Sequence, residues 1–245
     1  KLGAPIDVNN PMFQMAASSG AQFFDQGQNM LQKNVEQYVS MGLLRHYFSV
    51  DTAYVLSKLK IIAVPFTHKQ FKRNKDPASV CGSPPPRTDV NSPDLYIPTM
   101  ALVTYIVLFG LHMGWTHQFS PEVLGKTASS GLTVMVLEVM VLKLGFYLLE
   151  GPSVSFLDFV CYSGYKYVAI VVSTLGYIVA GRTVYYIMLL GMGGSMSFFM
   201  LKTVASAIIP SGPETFHSPQ RNSAKEYFVI AMAAIQIPVC WIMGV

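Results

Sequence analysis

Five long apolar stretches constrain the fold of this chain more than any other feature. They cover residues 95–115, 123–149, 156–180, 183–209 and 227–245. A bilayer core about 30 Å thick is crossed by roughly 20 apolar residues in a helix that rises about 1.5 Å per residue. The stretches are continuous and do not alternate polar and apolar residues as the strands of a membrane barrel do. We therefore expect an all-α membrane protein, a bundle of five transmembrane helices.

The rest of the chain is more polar and divides the molecule into three predicted parts. Residues 1–75 are a cytosolic region with amphipathic helices, 76–94 a Pro- and Ser-rich linker, and 95–245 the five-span domain. Only 12% of all residues are charged, whereas an ordinary soluble domain has about 25%. This composition excludes a soluble protein of the usual kind.

The distribution of basic residues predicts the orientation in the membrane. Of the 17 Lys and Arg residues, ten precede Asp94, and four of them (Lys69, Lys72, Arg73, Lys75) cluster shortly before the first stretch. Cytosolic segments next to a membrane collect such charge. We expect a cytosolic N-terminus and, after five crossings, a luminal C-terminus.

Two amphipathic helices are predicted in the cytosolic region. The first has apolar residues at helical spacing from Leu31 to Val39 and ends or is interrupted at Gly42. The second begins at Ser49 or Asp51, either of which can cap it, and ends before Pro65. The basic and aromatic residues from 58 to 75 leave two readings open. They form either a surface segment attracted to anionic lipid, or a packed helix followed by an ordinary basic flank.

Two ionisable residues within the apolar stretches are the most informative positions. Glu138 lies about 11 residues from the end of the second stretch, and Lys166 about 10 residues from the start of the third, which places both roughly 15 to 17 Å deep. An unpaired charge at such depth costs about 3 kcal/mol. We hypothesise that they pair across antiparallel helices. The alternatives are a neutral Glu138, a snorkelling Lys166, or contact of either with a partner subunit.

Other motifs give weaker signals. Gly110 and Gly114 form a GxxxG pattern that predicts close helix packing. His112 and His117 lack a neighbouring carboxylate or thiol, so interfacial polar residues are favoured over a metal site. No nucleophile and base spacing, phosphate loop or basic aromatic surface for nucleic acid is found in the sequence. We expect neither an enzyme nor a cofactor.

Several motifs together closely resemble the Yip-interacting factor family, part of the wider Yip group of Golgi membrane proteins. The resemblance extends from about Phe23 to the end of the chain. Its motifs are DVNSPDLYIP (89–98), FSPEVLG (119–125), YSGYKYV (162–168), YFSVDTAYV (47–55), Lys58-Leu59 and Pro65-Phe66.

The resemblance implies a role in transport between endoplasmic reticulum and Golgi. It implies a heteromeric complex with a Yip-type membrane protein, binding of prenylated Rab GTPases, and entry into coat-protein-II (COPII) vesicles. The residues expected to carry it are those for partner binding or intramembrane polar contact (Glu138, Lys166, Tyr165, Tyr167) and those at the membrane entrance (Asp94, Leu95, Tyr96, Pro98). A small transporter or lipid scramblase and a membrane-shaping protein are the rival functions.

Overall fold

Helices are the only regular secondary structure in the part of the chain that the structure describes. The computed structural model describes residues 41–74, 76, 83–117, 119–152, 154–208 and 219–244, the side chains of 219–222 excepted. The helices are α1 (Met41–Tyr47), α2 (Thr52–Ala63), a 3-10 helix (Pro65–Thr67), α3 (Tyr96–Trp115), α4 (Pro121–Leu148), α5 (Phe156–Gly164), α6 (Lys166–Ile208) and α7 (Pro219–Met243).

The two helices predicted before the membrane part have different outcomes. The stretch from Leu31 to Val39 lies outside the described residues. The expectation that Gly42 ends or interrupts a helix is wrong, because α1 runs through it; a glycine within a helix costs only about 1 kcal/mol. The second helix is confirmed: the Asp51 carboxylate accepts a hydrogen bond from the Thr52 amide at its start, and Pro65 follows its end.

Within the described residues, four helical segments are long and apolar enough to cross a membrane. They are Tyr96–Trp115, Pro121–Leu148, Phe156–Ile208 and Ser223–Met243. The expected count of five is not confirmed by length and hydropathy, because the third segment joins α5 to α6 in one run of 53 residues. Such a run measures about 80 Å as a straight helix, far more than one crossing needs.

Helix α6 is not straight, because the chain folds back within it. Gly181 has φ 80° and ψ −170°, a conformation open almost only to glycine. A Cβ added to Gly176 would lie 2.3 Å from Met188 Sδ, although these residues would be about 18 Å apart in a straight helix. We call residues 166–180 and 182–208 the two arms of α6.

Residues Arg45–Val245 form one compact unit, apart from the unit Lys1–Leu44, of which only the last four residues are described. Helix α6 lies at the centre of the larger unit and packs against α7, α3 and α2. We call the end of the bundle where α3 begins the entrance side, and the end where α6 turns at Gly181 the far side. The segment expected to be a linker contributes buried polar residues to the entrance side, among them Ser83, Asp89 and Ser92.

Candidate functional site

The centre of the candidate site is Asp94, a fully buried carboxylate two residues before the start of α3. Its Oδ2 accepts a hydrogen bond from the Ile97 amide at 2.8 Å and so satisfies a free donor in the first turn of α3. Its Oδ1 accepts from the Tyr165 hydroxyl at 2.6 Å and from the Tyr54 hydroxyl at 3.0 Å. One carboxylate therefore joins α2, α3 and the junction between α5 and α6.

The other residues of the predicted membrane entrance lie around this carboxylate. The Leu95 amide donates to the Tyr47 carbonyl at 3.2 Å. Pro98 is buried against Gly164, where an added Cβ would lie 2.5 Å from the Cβ of Pro98. Tyr96 is half-buried. The entrance motif and the YSGYKYV motif thus pack directly together, and Gly164 permits the close approach.

Lys58 is a buried lysine that holds the Pro-rich segment against α2. Its Nζ donates to the carbonyls of Val90 at 2.7 Å and Ser92 at 3.1 Å. The rings of Tyr54, Tyr165 and Phe199 surround it, with their centroids 5.5 to 5.9 Å from Nζ. Burial lowers the pKa of Lys58 to about 8, against the opposing attraction of Asp94.

The Glu138–Lys166 pair hypothesised from the sequence is present within the chain. Lys166 Nζ lies 2.5 Å from Glu138 Oε2, and both side chains are buried. The Ser163 hydroxyl donates to the same oxygen at 2.6 Å, and the Gln236 amide donates to Glu138 Oε1. Three donors from α5, α6 and α7 thus surround one carboxylate of α4, an arrangement that offsets the cost of burying its charge.

A third buried carboxylate, Asp158 in α5, ties the basic segment to the bundle. Its Oδ1 accepts from the Tyr47 hydroxyl at 2.5 Å, and its Oδ2 accepts both terminal nitrogens of the Arg73 guanidinium at 3.0 Å. Hydrogen bonds between two charged groups are roughly twice as strong as those between neutral groups. Arg73, read from the sequence as part of a basic cluster, is therefore ion-paired.

The remaining predicted residues have mixed positions. The Tyr167 hydroxyl donates to the Gly131 carbonyl at 2.7 Å, and its ring stacks on Tyr105 at 5.8 Å. A Cβ at Gly110 would lie 3.1 Å from Leu124, whereas no described atom lies within 4 Å of one at Gly114. The first glycine of the GxxxG pattern thus packs on α4, whereas the space beside the second is open.

Comparison with known proteins identifies the family. The YIF1 family model matches residues 9–244. The chain belongs to the YIF1 family. Among its relatives, protein YIF1A of Mus musculus is 37% identical over 94% of this chain and 79% of its own length. Protein YIF1B of Xenopus tropicalis is 35% identical over 96% and 79%. Protein transport protein yif1 of Schizosaccharomyces pombe is 33% identical over 96% and 83%. No solved structure matches the chain.

The resemblance to Yip-interacting factors is thereby confirmed for almost the whole chain. Every residue of the polar contacts described above lies within the part that the YIF1 model matches. Two relatives, from Schizosaccharomyces pombe and Saccharomyces cerevisiae, are named protein transport proteins. These names support a role in protein transport for this YIF1-family chain.

Sequence reasoning missed four residues of the site: Lys58, Asp158, Arg73 and Gln236. Signals for two of them were present in this YIF1-family sequence. Asp158 is a carboxylate inside an apolar stretch, as Glu138 is. Tyr54, Lys58 and Ile62 recur every fourth residue and are the buried face of α2, but from the sequence alone this lysine is interpreted as part of a basic flank.

Among the described residues, no three His, Cys, Asp or Glu side chains gather as a metal site would require.

Proposed function

We propose that the protein is a membrane adaptor in vesicle transport between endoplasmic reticulum and Golgi. It pairs with a Yip-type membrane protein, binds prenylated Rab GTPases and travels in COPII vesicles. It acts by contact and not by catalysis. The protein transport names of the relatives support the general role, and the arrangement of residues 45–94 supports the adaptor mechanism.

The proposal includes five membrane crossings with the entrance side in the cytosol. The fold-back at Gly181 divides the long third segment into residues 156–180, which include α5, and the second arm of α6, and each part is long enough for a crossing. α3, α4 and α7 make the other three crossings. The excess of Lys and Arg before Asp94 favours the cytosol for the entrance side, and an odd number of crossings then takes the C-terminus to the lumen.

The observation that carries the adaptor proposal is the bonding of residues 45–94 to the membrane helices. Asp94 accepts a hydrogen bond from Tyr165 at the junction of α5 and α6, and Asp158 of α5 accepts from Arg73; both carboxylates are buried. Buried hydrogen-bonded networks fix a single arrangement, since each broken bond leaves an unsatisfied group. A soluble partner that binds this region is therefore held at a fixed position relative to the membrane helices.

Two exposed surfaces suit the two kinds of partner. Helix α3 presents Val103, Val107 and Leu111 outward, a surface for a membrane subunit. Helix α2 presents Leu56 and Lys60 on the face opposite its buried residues. A lipidated GTPase is confined to the same membrane plane, so its effective concentration is high and a small contact on α2 is sufficient.

Purification from native membranes tests the complex. The full chain, extracted in mild detergent and weighed by native mass spectrometry, is expected to carry a second Yip-family subunit in fixed ratio. Repeated recovery of the chain alone would contradict the adaptor proposal.

A variant of the exposed α2 face tests the Rab contact. Leu56→Glu in proteoliposomes is expected to weaken binding of prenylated Rab at least tenfold, because it places a charge in an apolar contact. Arg87→Glu, an exposed position outside α2, is the matched control and should bind as the unchanged protein does. Equal binding by the two variants would exclude the α2 face as the Rab surface.

A further inference from the structure

A narrow apolar groove runs between the two arms of α6, close to their turn at Gly181. Its volume is about 320 Å³. The arms approach each other at Gly176, where an added Cβ would lie 2.3 Å from Met188 Sδ, and the groove lies beside this contact. Besides Gly176, its walls are Val172, Leu175, Val179 and Ala180 of the first arm and Val184 and Met188 of the second. We call it the arm groove.

The side chains of the arm groove offer no hydrogen bond to a ligand. The hydroxyls of Ser173 and Thr174 in the first arm are buried, and they donate to the carbonyls of Ala169 and Ile170 at 2.8 and 2.9 Å. Val179 is 85% exposed, so the groove is open on one side. Its occupant is therefore expected to be apolar and to enter from outside the bundle.

The turn at Gly181 places the mouth of the groove at the far-side membrane surface. In the proposed topology, residues 156–180 and the second arm are successive crossings, and the non-helical backbone at Gly181 between them is exposed. Exposed backbone of this kind is not tolerated in hydrocarbon. The end of α3 lies beside this turn, because the His112 and Tyr177 rings are 4.9 Å apart. Trp115, which is exposed there, is of a residue type enriched at membrane surfaces.

A single cation lies next to this mouth. Between Lys166 and Lys202 the sequence has one charged residue, Arg182, which is exposed and directly follows the turn. Residues of the groove flank it within two positions on either side. Its guanidinium lies 5.9 Å from the centroid of the Tyr186 ring, and among the described residues no carboxylate pairs with it. A guanidinium matches the charge and geometry of a phosphate group.

The size of the groove selects its occupant. An α-helix with its side chains is about 10–12 Å across, and residues 172–180 cover about 12 Å of the arm, so an equal length of partner helix occupies roughly 1,000 Å³. The groove has about 320 Å³. A helix is therefore too wide to enter, whereas one alkyl chain is thin enough. An alkyl chain in the groove and a phosphate at its mouth belong together in one kind of molecule, a phospholipid.

We infer that the arm groove binds one acyl chain of a phospholipid in the far-side leaflet, and that the phosphate of this lipid pairs with Arg182. The inference rests on the proposed crossings of residues 156–208 and on no protein partner. The acyl chain fills the space between the arms and adds van der Waals contacts to both. The bound lipid therefore holds the two arms together near the turn of α6.

Photo-crosslinking tests the acyl-chain position in the full chain reconstituted into liposomes. The probe is phosphatidylcholine with a diazirine in the middle of one acyl chain, and peptide mass spectrometry locates the adducts. We expect adducts on residues 172–188 to be at least threefold more frequent than on residues 103–111 of α3. Equal labelling of the two regions would overturn the groove. Absence of adducts from residues 172–188 would also contradict the crossings on which it rests.

A pair of matched variants tests whether the groove itself takes up the chain. Val184→Phe fills the groove and should lower labelling of residues 172–188 at least threefold. Ile187→Phe adds the same side chain at an exposed position of the same arm that does not line the groove, and it should label as the unchanged protein does. Equal labelling of the two variants would overturn the assignment. The thermal midpoint of each variant shows that it is folded.

Lipid retention tests the phosphate contact. After purification in mild detergent, we expect Arg182→Gln to retain at least threefold less phospholipid per chain by native mass spectrometry. Lys126→Gln removes an exposed cation of α4 and should retain the lipid normally. Unchanged retention by Arg182→Gln would overturn the assignment of Arg182, whatever the result of the crosslinking.

Discussion

The entrance side and the far side of the bundle are held together by different chemistry. At the entrance side, buried Asp94, Glu138 and Asp158 each accept hydrogen bonds from at least two other elements or segments. At the far side, aromatic rings contact one another in a row, with centroids 4.9 to 5.9 Å apart. The row is His112, Tyr177, Tyr185, Tyr186 and Trp241.

The two sides differ in how precisely their side chains must be arranged. A buried charge needs particular partners at short distance, so loss of one partner leaves an uncompensated group. Aromatic contacts contribute only about 0.5 to 1.5 kcal/mol each, whereas loss of one partner of a buried ion pair costs about 3 to 5 kcal/mol. Substitutions at the entrance side are therefore expected to cost more stability than substitutions at the far side. The entrance side is also where residues 45–94 join the membrane helices.

The largest effect is expected from reversing one charge of the intramembrane pair. Glu138→Lys should place two lysines together in a buried site and lower the free energy of unfolding by about 3 to 5 kcal/mol. Lys166→Glu should act similarly through two carboxylates. Thermal denaturation in mild detergent measures both.

The double variant Glu138→Lys, Lys166→Glu is the control for the pair. It should recover at least half of the loss, because Ser163 and Gln236 can each donate or accept toward the exchanged charges. A reversal at exposed Lys126 should change the free energy of unfolding by less than about 0.5 kcal/mol. Absence of rescue, with both single variants equally unstable, would mean that the two residues act separately.

The sequence predicted this pair because depth in a membrane helix can be counted from residue numbers. Apolar length likewise predicted the all-helical fold, and Asp51 and Pro65 predicted the bounds of α2. The contacts of Lys58 and Asp158 could not be predicted in this way. Lys58 bonds Val90, 32 positions away, and Asp158 bonds Arg73, 85 positions away, and such long-range contacts leave no periodic signal. The sequence separated the stretches 156–180 and 183–209, and the chain turns at Gly181 between them, whereas helix length and hydropathy alone join them in one segment.

A smaller effect is expected from titrating Lys58 at the entrance side. Its pKa in the folded protein is about 8, below the ordinary value of 10.5, because burial disfavours the ammonium form. Between pH 8 and 10.5 the unfolded chain binds a proton that the folded chain has released, so stability rises with pH across this window. Below pH 8 both forms are protonated and the full cost of burial remains. The rise should be on the order of 3 kcal/mol.

Lys58→Met separates this titration from that of other groups. The variant should have a flatter dependence of the thermal midpoint on pH between 8 and 10.5, whatever its absolute stability. Lys60→Met, an exposed lysine on the same helix, should keep the slope of the unchanged protein. Parallel curves for all three proteins would show that Lys58 is not buried as a cation.

The smallest effect is expected at the far side, from Gly181→Ala. No described atom lies within 4 Å of an added Cβ there, so the cost comes from the backbone conformation alone and should be about 1 to 2 kcal/mol. Gly194→Ala in the second arm of α6 is the matched control. A Cβ added at Gly194 also meets no described atom within 4 Å. Because the backbone there is helical and suits alanine, the substitution should be neutral or should stabilise the protein by a few tenths of a kcal/mol. Opposite signs for the two variants, measured by thermal denaturation, would locate the far-side constraint in the turn itself. Equal effects would mean that the turn of α6 does not need the positive φ of Gly181. The aromatic contacts alone would then hold the structure of the far side.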